Sequence, residues 1–129
     1  MISSAAMKRA DLKSMTVDEL VDRFAEIGIA QDTAELMGEI SKFNKLYRQM
    51  KDVDTELRAR GEDARRTLLR LYNRPNIQVR LQAATRTLAV APEAARQVIE
   101  SISESNWFPQ AGEAGMTLWN LDRGVFKPD

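Results

Sequence analysis

The chain has 129 residues, 19 basic and 19 acidic side chains and 43% hydrophobic residues, a composition typical of one soluble globular domain. It contains no cysteine, which excludes disulfides and thiolate chemistry and favours a cytoplasmic location. It contains no histidine either, which excludes Ser-His-Asp triads and His-ligated metals. We therefore expect a non-catalytic protein without a cofactor or a metal, and catalysis by buried carboxylates or lysines is the alternative.

No targeting signal is expected in the first residues of the sequence. Small residues precede the first charges at Lys8 and Arg9, and no apolar run follows, so neither a signal peptide nor a membrane span is expected. Residues 1–6 are interpreted as an alternative-start extension, and residues 1–14 are predicted to be disordered. One domain is then predicted over residues 15–126, with a polar tail at 127–129.

The residue pattern predicts an all-α fold of five to six helices, because prolines, glycines and β-branched runs are sparse. Thr16 and Glu19 form a capping box, so the first helix is expected to begin at Val17. Its apolar face consists of Leu20, Val21, Phe24 and Ile27. Gly28 is predicted to end this helix.

A long amphipathic helix is predicted after Asp32, since apolar side chains recur at spacings of three and four. The stripe contains Leu36, Ile40, Phe43, Tyr47, Met50 and Leu57. An unbroken helix up to Leu57 would reach about 40 Å, which is long for a small domain. A kink or break is therefore predicted between Met50 and Thr55.

Shorter helices are predicted in the second half of the chain. Gly61 precedes a third helix that ends near Tyr72, and Asn76 caps a fourth helix after a turn at Pro75. Their inward positions are Ala64, Leu68, Leu71, Tyr72, Ile77, Leu81, Ala84 and Leu88.

Prolines introduce the two remaining helices. Pro92 suits the first turn of the fifth helix, Pro109 introduces the sixth, and Gly124 is predicted to end it. The inward positions are Ala95, Val98, Ile99, Ile102, Ala111, Ala114, Leu118 and Leu121.

Residues 75–88, Pro-Asn-Ile-Gln-Val-Arg-Leu-Gln-Ala-Ala-Thr-Arg-Thr-Leu, resemble the second helix of a HEAT repeat. The whole chain after Met7 is similar to a small uncharacterised bacterial family, notably in Met-Thr-Val-Asp-Glu-Leu-Val-Asp-Arg-Phe at 15–24 and Gly-Met-Thr-Leu-Trp at 115–119. The resemblance implies antiparallel hairpins in a short HEAT-like or armadillo-like α-α superhelix. It implies no activity and no catalytic residues.

The basic side chains are concentrated in the middle of the chain. Residues 42–86 contain 12 basic and 5 acidic side chains, a net charge of +7. Arg66, Arg70 and Arg74 follow at steps of four, and with Arg86 and Trp107 they form the predicted interaction surface. An unidentified protein is the expected partner, and nucleic acid bound by residues 42–86 is the alternative. A solvated helix face would also explain this pattern, and the oligomeric state stays open.

Aromatic and methionine side chains gather near the C-terminus, at Trp107, Phe108, Met116, Trp119 and Phe126. We expect these residues to cover the end of the core. The alternative is an exposed patch for a partner or for dimerisation, and burial of Trp119 would exclude it.

Overall fold

The computed structural model describes residues 9–129, and every regular element in that range is helical, which confirms the all-α prediction. The α-helices are α1 (Arg9–Leu12), α2 (Val17–Leu36), α3 (Ile40–Ala59), α4 (Glu62–Arg66), α5 (Ile77–Arg86), α6 (Pro92–Ser103) and α7 (Gln110–Asp122). A 3-10 helix covers Thr67–Asn73. The chain divides into two compact units, one ending at Thr67 and one beginning at Leu68. The single domain predicted over residues 15–126 stays a prediction.

The structure describes residues 9–14 of the stretch over residues 1–14 that is predicted to be disordered. Residues 1–8, including the suggested extension at 1–6, lie outside the described residues. Residues 9–12 form α1, and Leu12 is buried. Arg60 at the end of α3 donates hydrogen bonds to the carbonyls of Leu12 and Lys13, at 3.0 and 3.2 Å. These contacts and the buried leucine attach the segment around Leu12 to α3.

Helix α2 begins as predicted but ends later. The Thr16 hydroxyl accepts a hydrogen bond from the Glu19 amide at 3.1 Å, and the Glu19 carboxylate accepts one from the Thr16 amide at 2.9 Å. The predicted end at Ile27 is wrong, because Gly28 is buried inside the helix. The helix continues to Leu36, and Gly38 takes the left-handed backbone conformation, with φ +69°, in the turn that follows.

Helix α3 packs against α2 and is continuous where a break was predicted. It begins at Ile40 rather than after Asp32, so its length is about 30 Å instead of 40 Å. Met50, Val53 and Leu57 are fully buried, and such tertiary packing is what stabilises most helices in water.

The second unit contains most of the 3-10 helix together with α5, α6 and α7. Its core confirms the predicted inward faces of the fourth and fifth helices and Ala114 of the sixth. The core residues are Ile77, Leu81, Ala84, Leu88, Ala95, Ile99, Ile102 and Ala114. Tyr72, Val98, Leu118, Leu121 and Phe126 pack against this core and are partly buried.

The turns of the second unit follow the predicted residues. The Asn76 side chain accepts a hydrogen bond from the Val79 amide at 3.1 Å and caps α5. Pro92 occupies the first turn of α6, Pro109 precedes α7, and Gly124, with φ +73°, follows the end of α7. Local turn chemistry therefore fixes the helix boundaries here.

The predicted third helix is only partly α-helical. The α pattern ends at Arg66 and the 3-10 pattern continues to Asn73. The Thr67 hydroxyl donates a hydrogen bond to the Ala64 carbonyl, an interaction that competes with regular α-helical bonding. Leu68 and Leu71 are nevertheless buried as predicted.

Candidate interaction surface

Helix α7 has two apolar sides. Ala111 and Ala114 lie on its buried side. Gly112, Met116, Trp119 and Arg123 lie at spacings of four, three and four, which places them on the opposite side, and all four are exposed. A surface helix normally presents charged and polar residues on its outer side. Here the outer side carries a glycine, a methionine and a tryptophan.

Two further aromatic residues extend this side of α7. Trp107 and Phe108 precede the helix and are 63% and 67% exposed, while Met116 and Trp119 are each 59% exposed. The Phe108 ring lies over Gly112, with Cδ1 only 3.7 Å from where a β-carbon of residue 112 would be. We call the set of Trp107, Phe108, Gly112, Met116, Trp119 and Arg123 the aromatic face.

These exposures correct the expected cover over the core. Phe126 packs against the core, but Trp107, Phe108, Met116 and Trp119 do not cover it. The physical reason is the helical register: with Ala114, Leu118 and Leu121 turned toward the core, Met116 and Trp119 are turned away from it. The alternative interpretation was an exposed patch for a partner or for dimerisation, and burial of Trp119 would have excluded it. Trp119 is exposed, so that interpretation is not excluded.

The loop before α7 is held by local hydrogen bonds. The Ser105 hydroxyl donates to the Ile102 carbonyl at 2.6 Å and accepts from the Trp107 amide at 3.1 Å. Asn106 takes the left-handed conformation, with φ 59°, which asparagine tolerates better than most residues. The backbone that carries Trp107 is therefore anchored to the end of α6.

Polar contacts fix α7 against its neighbours. Arg96 on α6 donates to both carboxylate oxygens of Asp122, at 2.8 and 3.1 Å. Gln110 at the start of α7 donates to Gln78 on α5 at 3.0 Å, and this amide pair is buried. Gln82 on α5 donates to Glu113 at 3.3 Å. Contacts near both ends of α7 thus set the orientation of the aromatic face.

The charges around α7 are arranged so that the aromatic face carries a single cation. The hydrogen bonds from Arg96 lower the pKa of Asp122, and the Asp122 carboxylate in turn raises the pKa of Arg96. The guanidinium of Arg123 lies 5.3 Å from the centre of the Trp119 ring, within cation–π range. Arg123 therefore covers part of one aromatic ring and adds a positive charge at the C-terminal end of the face.

The arginines of the predicted interaction surface do not lie on one helix. Arg66 ends α4 in the first unit, whereas Arg70, Arg74 and Arg86 belong to the second. Arg70 lies in the 3-10 helix, which has three residues per turn, so steps of four do not align side chains there. Arg66, Arg70 and Arg74 are exposed, and Arg86 at the end of α5 is half-exposed. Their role in binding stays a prediction.

Trp107 is the member of the predicted surface that the structure brings together with other exposed apolar residues. Met116 and Trp119 were missing from that predicted surface. Their signal was present in the sequence as a second helical stripe, Gly112, Met116, Trp119 and Arg123, beside the inward stripe. The predicted inward stripe of Ala111, Ala114, Leu118 and Leu121 already placed Met116 and Trp119 on the other side of the helix.

The first unit exposes a smaller apolar group at the turn between α2 and α3. Leu36, Met37 and Ile40 are exposed, which corrects the prediction that Leu36 and Ile40 belong to a core-facing stripe. A shallow depression of about 210 Å³ lies beside them. It is lined by Ala34, Glu35, Gly38, Glu39, Ile40 and Phe43. No cluster of side chains with evident chemistry faces it.

One buried charged side chain, Arg23, serves the fold of the first unit. Arg23 on α2 is buried, and the loss of hydration lowers its pKa. It donates to Gln49 on α3 at 3.3 Å and lies 3.7 Å from Glu26.

Within residues 9–129, no three carboxylates meet in a way that could hold a metal ion. None of the helices described in that range is long and apolar enough to cross a membrane.

Fold and surface together define an all-α protein with an exposed aromatic face on its last helix. The chain belongs to the DUF2019 family, a domain of unknown function, whose family model matches residues 18–122. It is similar to the protein RPA1889 from Rhodopseudomonas palustris CGA009, known from a crystal structure, with 53% sequence identity and a TM-score of 0.89. That match covers 92% of this chain and 98% of RPA1889. Comparison with curated proteins gives no match.

Proposed function

We propose that the chain is a non-catalytic protein-interaction module and that the aromatic face is its binding surface. The observation that carries this proposal is the exposure of Met116 and Trp119 on the outer side of a helix whose inner side is already packed. Burying exposed apolar area is the main driving force of protein association. Tryptophan, methionine and arginine are also the residues enriched in protein interfaces.

The hydrogen bonds that attach α7 to its neighbours support the same proposal. Arg96, Gln78 and Gln82 hold α7 through hydrogen bonds to Asp122, Gln110 and Glu113. A partner would therefore meet side chains whose backbone is already ordered, so little conformational entropy is lost on binding.

The proposal also includes a HEAT-like arrangement of the helices and a cytoplasmic location. The packing of α5 against α6 and of α6 against α7 supports a HEAT-like arrangement of helical hairpins in the second unit. The absence of cysteine supports a cytoplasmic location. Both agree with the role of an interaction module and neither implies a particular partner.

Affinity capture from native host lysate tests the proposal. The wild-type chain is compared with Trp119→Glu, and Leu36→Glu is the matched control because Leu36 is an exposed apolar residue in the first unit. We expect wild type and the control to retain one stoichiometric protein after nuclease treatment and Trp119→Glu to lose it. Equal capture by all three chains would contradict the proposal.

Nucleic-acid binding by residues 42–86 is the second candidate. The exposure of Arg66, Arg70 and Arg74 supports it, since exposed guanidinium groups can contact phosphates. The 3-10 segment disfavours one continuous arginine stripe. Binding of this kind would show a steep salt dependence that decreases when the three arginines are replaced by glutamate. Salt-independent capture that survives nuclease would exclude it.

A further inference from the structure

We infer that two copies of this chain form an antiparallel dimer through the aromatic face. The inference rests on the proposed function, because it assigns a specific partner, a second copy of the chain, to the same surface. Three observations carry it: the order of residues along α7, the position of its one cation, and the apolar area exposed.

The order of residues along α7 is self-complementary. Met116 and Trp119 lie at the centre of the face, with Gly112 toward one end and Arg123 at the other. A two-fold axis between positions 116 and 119 places Met116 of each copy opposite Trp119 of the other. Such a contact is isologous, as in most homodimers, and it pairs a thioether with an aromatic ring twice.

The single cation favours the antiparallel direction. Gly112 and Arg123 are eleven residues apart, about 16 Å along the helix. Parallel helices would place the two Arg123 side chains next to each other, whereas antiparallel helices separate them by about that distance, beyond the Debye length of about 8 Å at physiological salt. Each Arg123 then lies opposite Gly112 of the other copy, where the Phe108 ring is available for a cation–π contact.

The apolar area is sufficient for a small dimer. An aromatic side chain buries about 150–250 Å² when covered, so Trp107, Phe108 and Trp119, each about two thirds exposed, together with Met116, offer roughly 500 Å² per copy. Two copies would bury about 1,000 Å², which is the least area expected of a biological interface and is typical of a weak dimer. The aromatic face also needs a partner that is mainly apolar, and a second copy presents one.

The mass in solution tests the dimer. Light scattering coupled to size exclusion should give twice the chain mass of 14.6 kDa for the wild type. Met116→Glu should halve that mass, because it places two carboxylates at the centre of the interface, while Leu36→Glu should leave it unchanged. Circular dichroism confirms that each variant is folded. A wild-type mass of 14.6 kDa at all concentrations, or a dimeric Met116→Glu chain, would overturn the inference.

The two proposals fail differently. A monomeric wild type that still captures another protein through Trp119 would overturn self-association alone. Loss of both dimerisation and Trp119-dependent capture would overturn the proposed function as well.

Single cysteines test the direction of the helices, since the chain has none of its own. Gly112→Cys and Arg123→Cys chains are mixed and oxidised with diamide. The antiparallel arrangement predicts a disulfide between the two different variants and little cross-linking of either variant alone. Preferential cross-linking of each variant with itself would overturn that arrangement.

Discussion

The guanidinium of Arg96 binds the carboxylate of Asp122 through two hydrogen bonds, 2.8 and 3.1 Å long, and thereby joins α6 to the last turn of α7. Arg96 also donates to Glu100, one turn along α6, at 3.2 Å. The ion pair lies at the surface, where solvent screens it. Its main effect is to fix the end of the helix that carries Trp119.

This ion pair predicts a pH-dependent contribution to stability. Asp122 has a pKa below its ordinary value of 3.8, mainly because of the hydrogen bonds from Arg96. Its stabilising contribution is therefore complete above pH 3.8 and is lost as the pH falls through the lower, folded-state pKa. Asp122→Asn should have a slightly lower melting temperature than wild type near neutral pH, and the difference should shrink below pH 3.8 and in high salt.

A double-mutant cycle provides the control for that prediction. Arg96→Gln should remove the same contribution, and adding Asp122→Asn to it should have little further effect. Strictly additive effects of the two substitutions would show that the pair is not coupled.

The buried amide pair between α5 and α7 predicts a second stability effect. Gln110→Leu removes the donor to the buried Gln78 oxygen, which should cost about 1–3 kcal/mol of unfolding free energy. The double variant Gln78→Leu, Gln110→Leu should recover part of that loss. It removes both side-chain amides of the pair, so neither is left buried without its hydrogen-bond partner. Urea denaturation measures both. A double variant less stable than the sum of the two single changes would refute this explanation.

Gly38 and Gly115 predict opposite results for the same substitution. A β-carbon would meet nothing within 4 Å at either position, so only the backbone differs. Gly38 has φ +69°, and Gly38→Ala should destabilise the chain by about 1–2 kcal/mol. Gly115 lies inside α7, and Gly115→Ala should stabilise it by about 0.5–1 kcal/mol. Thermal denaturation should separate the two variants, and a common sign would contradict the backbone argument.

Ile99 and Met116 should separate stability from association. Ile99 on α6 is fully buried, so Ile99→Ala should cost about 2–5 kcal/mol. Met116→Ala should change the unfolding free energy by no more than about 0.5 kcal/mol in dilute solution. The same Met116→Ala variant should nevertheless weaken the dimer. A large loss of stability in the dilute Met116→Ala chain would assign Met116 to the core.

The second unit could be predicted well from the sequence because its boundaries depend on local chemistry. Asn76, Pro92, Pro109 and Gly124 each act within one turn of their own position, and the structure confirms all four.

The first unit was predicted less well because its boundaries depend on tertiary packing. Gly28 and Gly38 are equally plausible stops by residue type, but burial retains Gly28 inside α2 and leaves Gly38 for the turn. Similarly, the buried side of α3 prevents the expected break after Met50. The 3-10 helix over Thr67–Asn73, most of which belongs to the second unit, was also missed, because periodicity does not reveal the contact of the Thr67 hydroxyl with the Ala64 carbonyl.

The candidate site was only partly visible in the sequence. The clustering of Trp107, Phe108, Met116 and Trp119 was apparent, but their exposure was not, since large aromatic side chains are found in cores and in interfaces alike. The structure shows that Met116 and Trp119 are exposed, because Ala111 and Ala114 occupy the buried side of α7.

Methionine oxidation in native host cells tests most directly whether protein covers the aromatic face. Met116 is compared with Met37, an exposed methionine of the first unit, in cells and in the purified chain diluted to its monomer mass. Our account predicts that oxidation of Met116 relative to Met37 is several-fold slower in cells than in the diluted chain. Equal ratios in the two samples would show that the face is open to solvent in the cell and would contradict the proposed function.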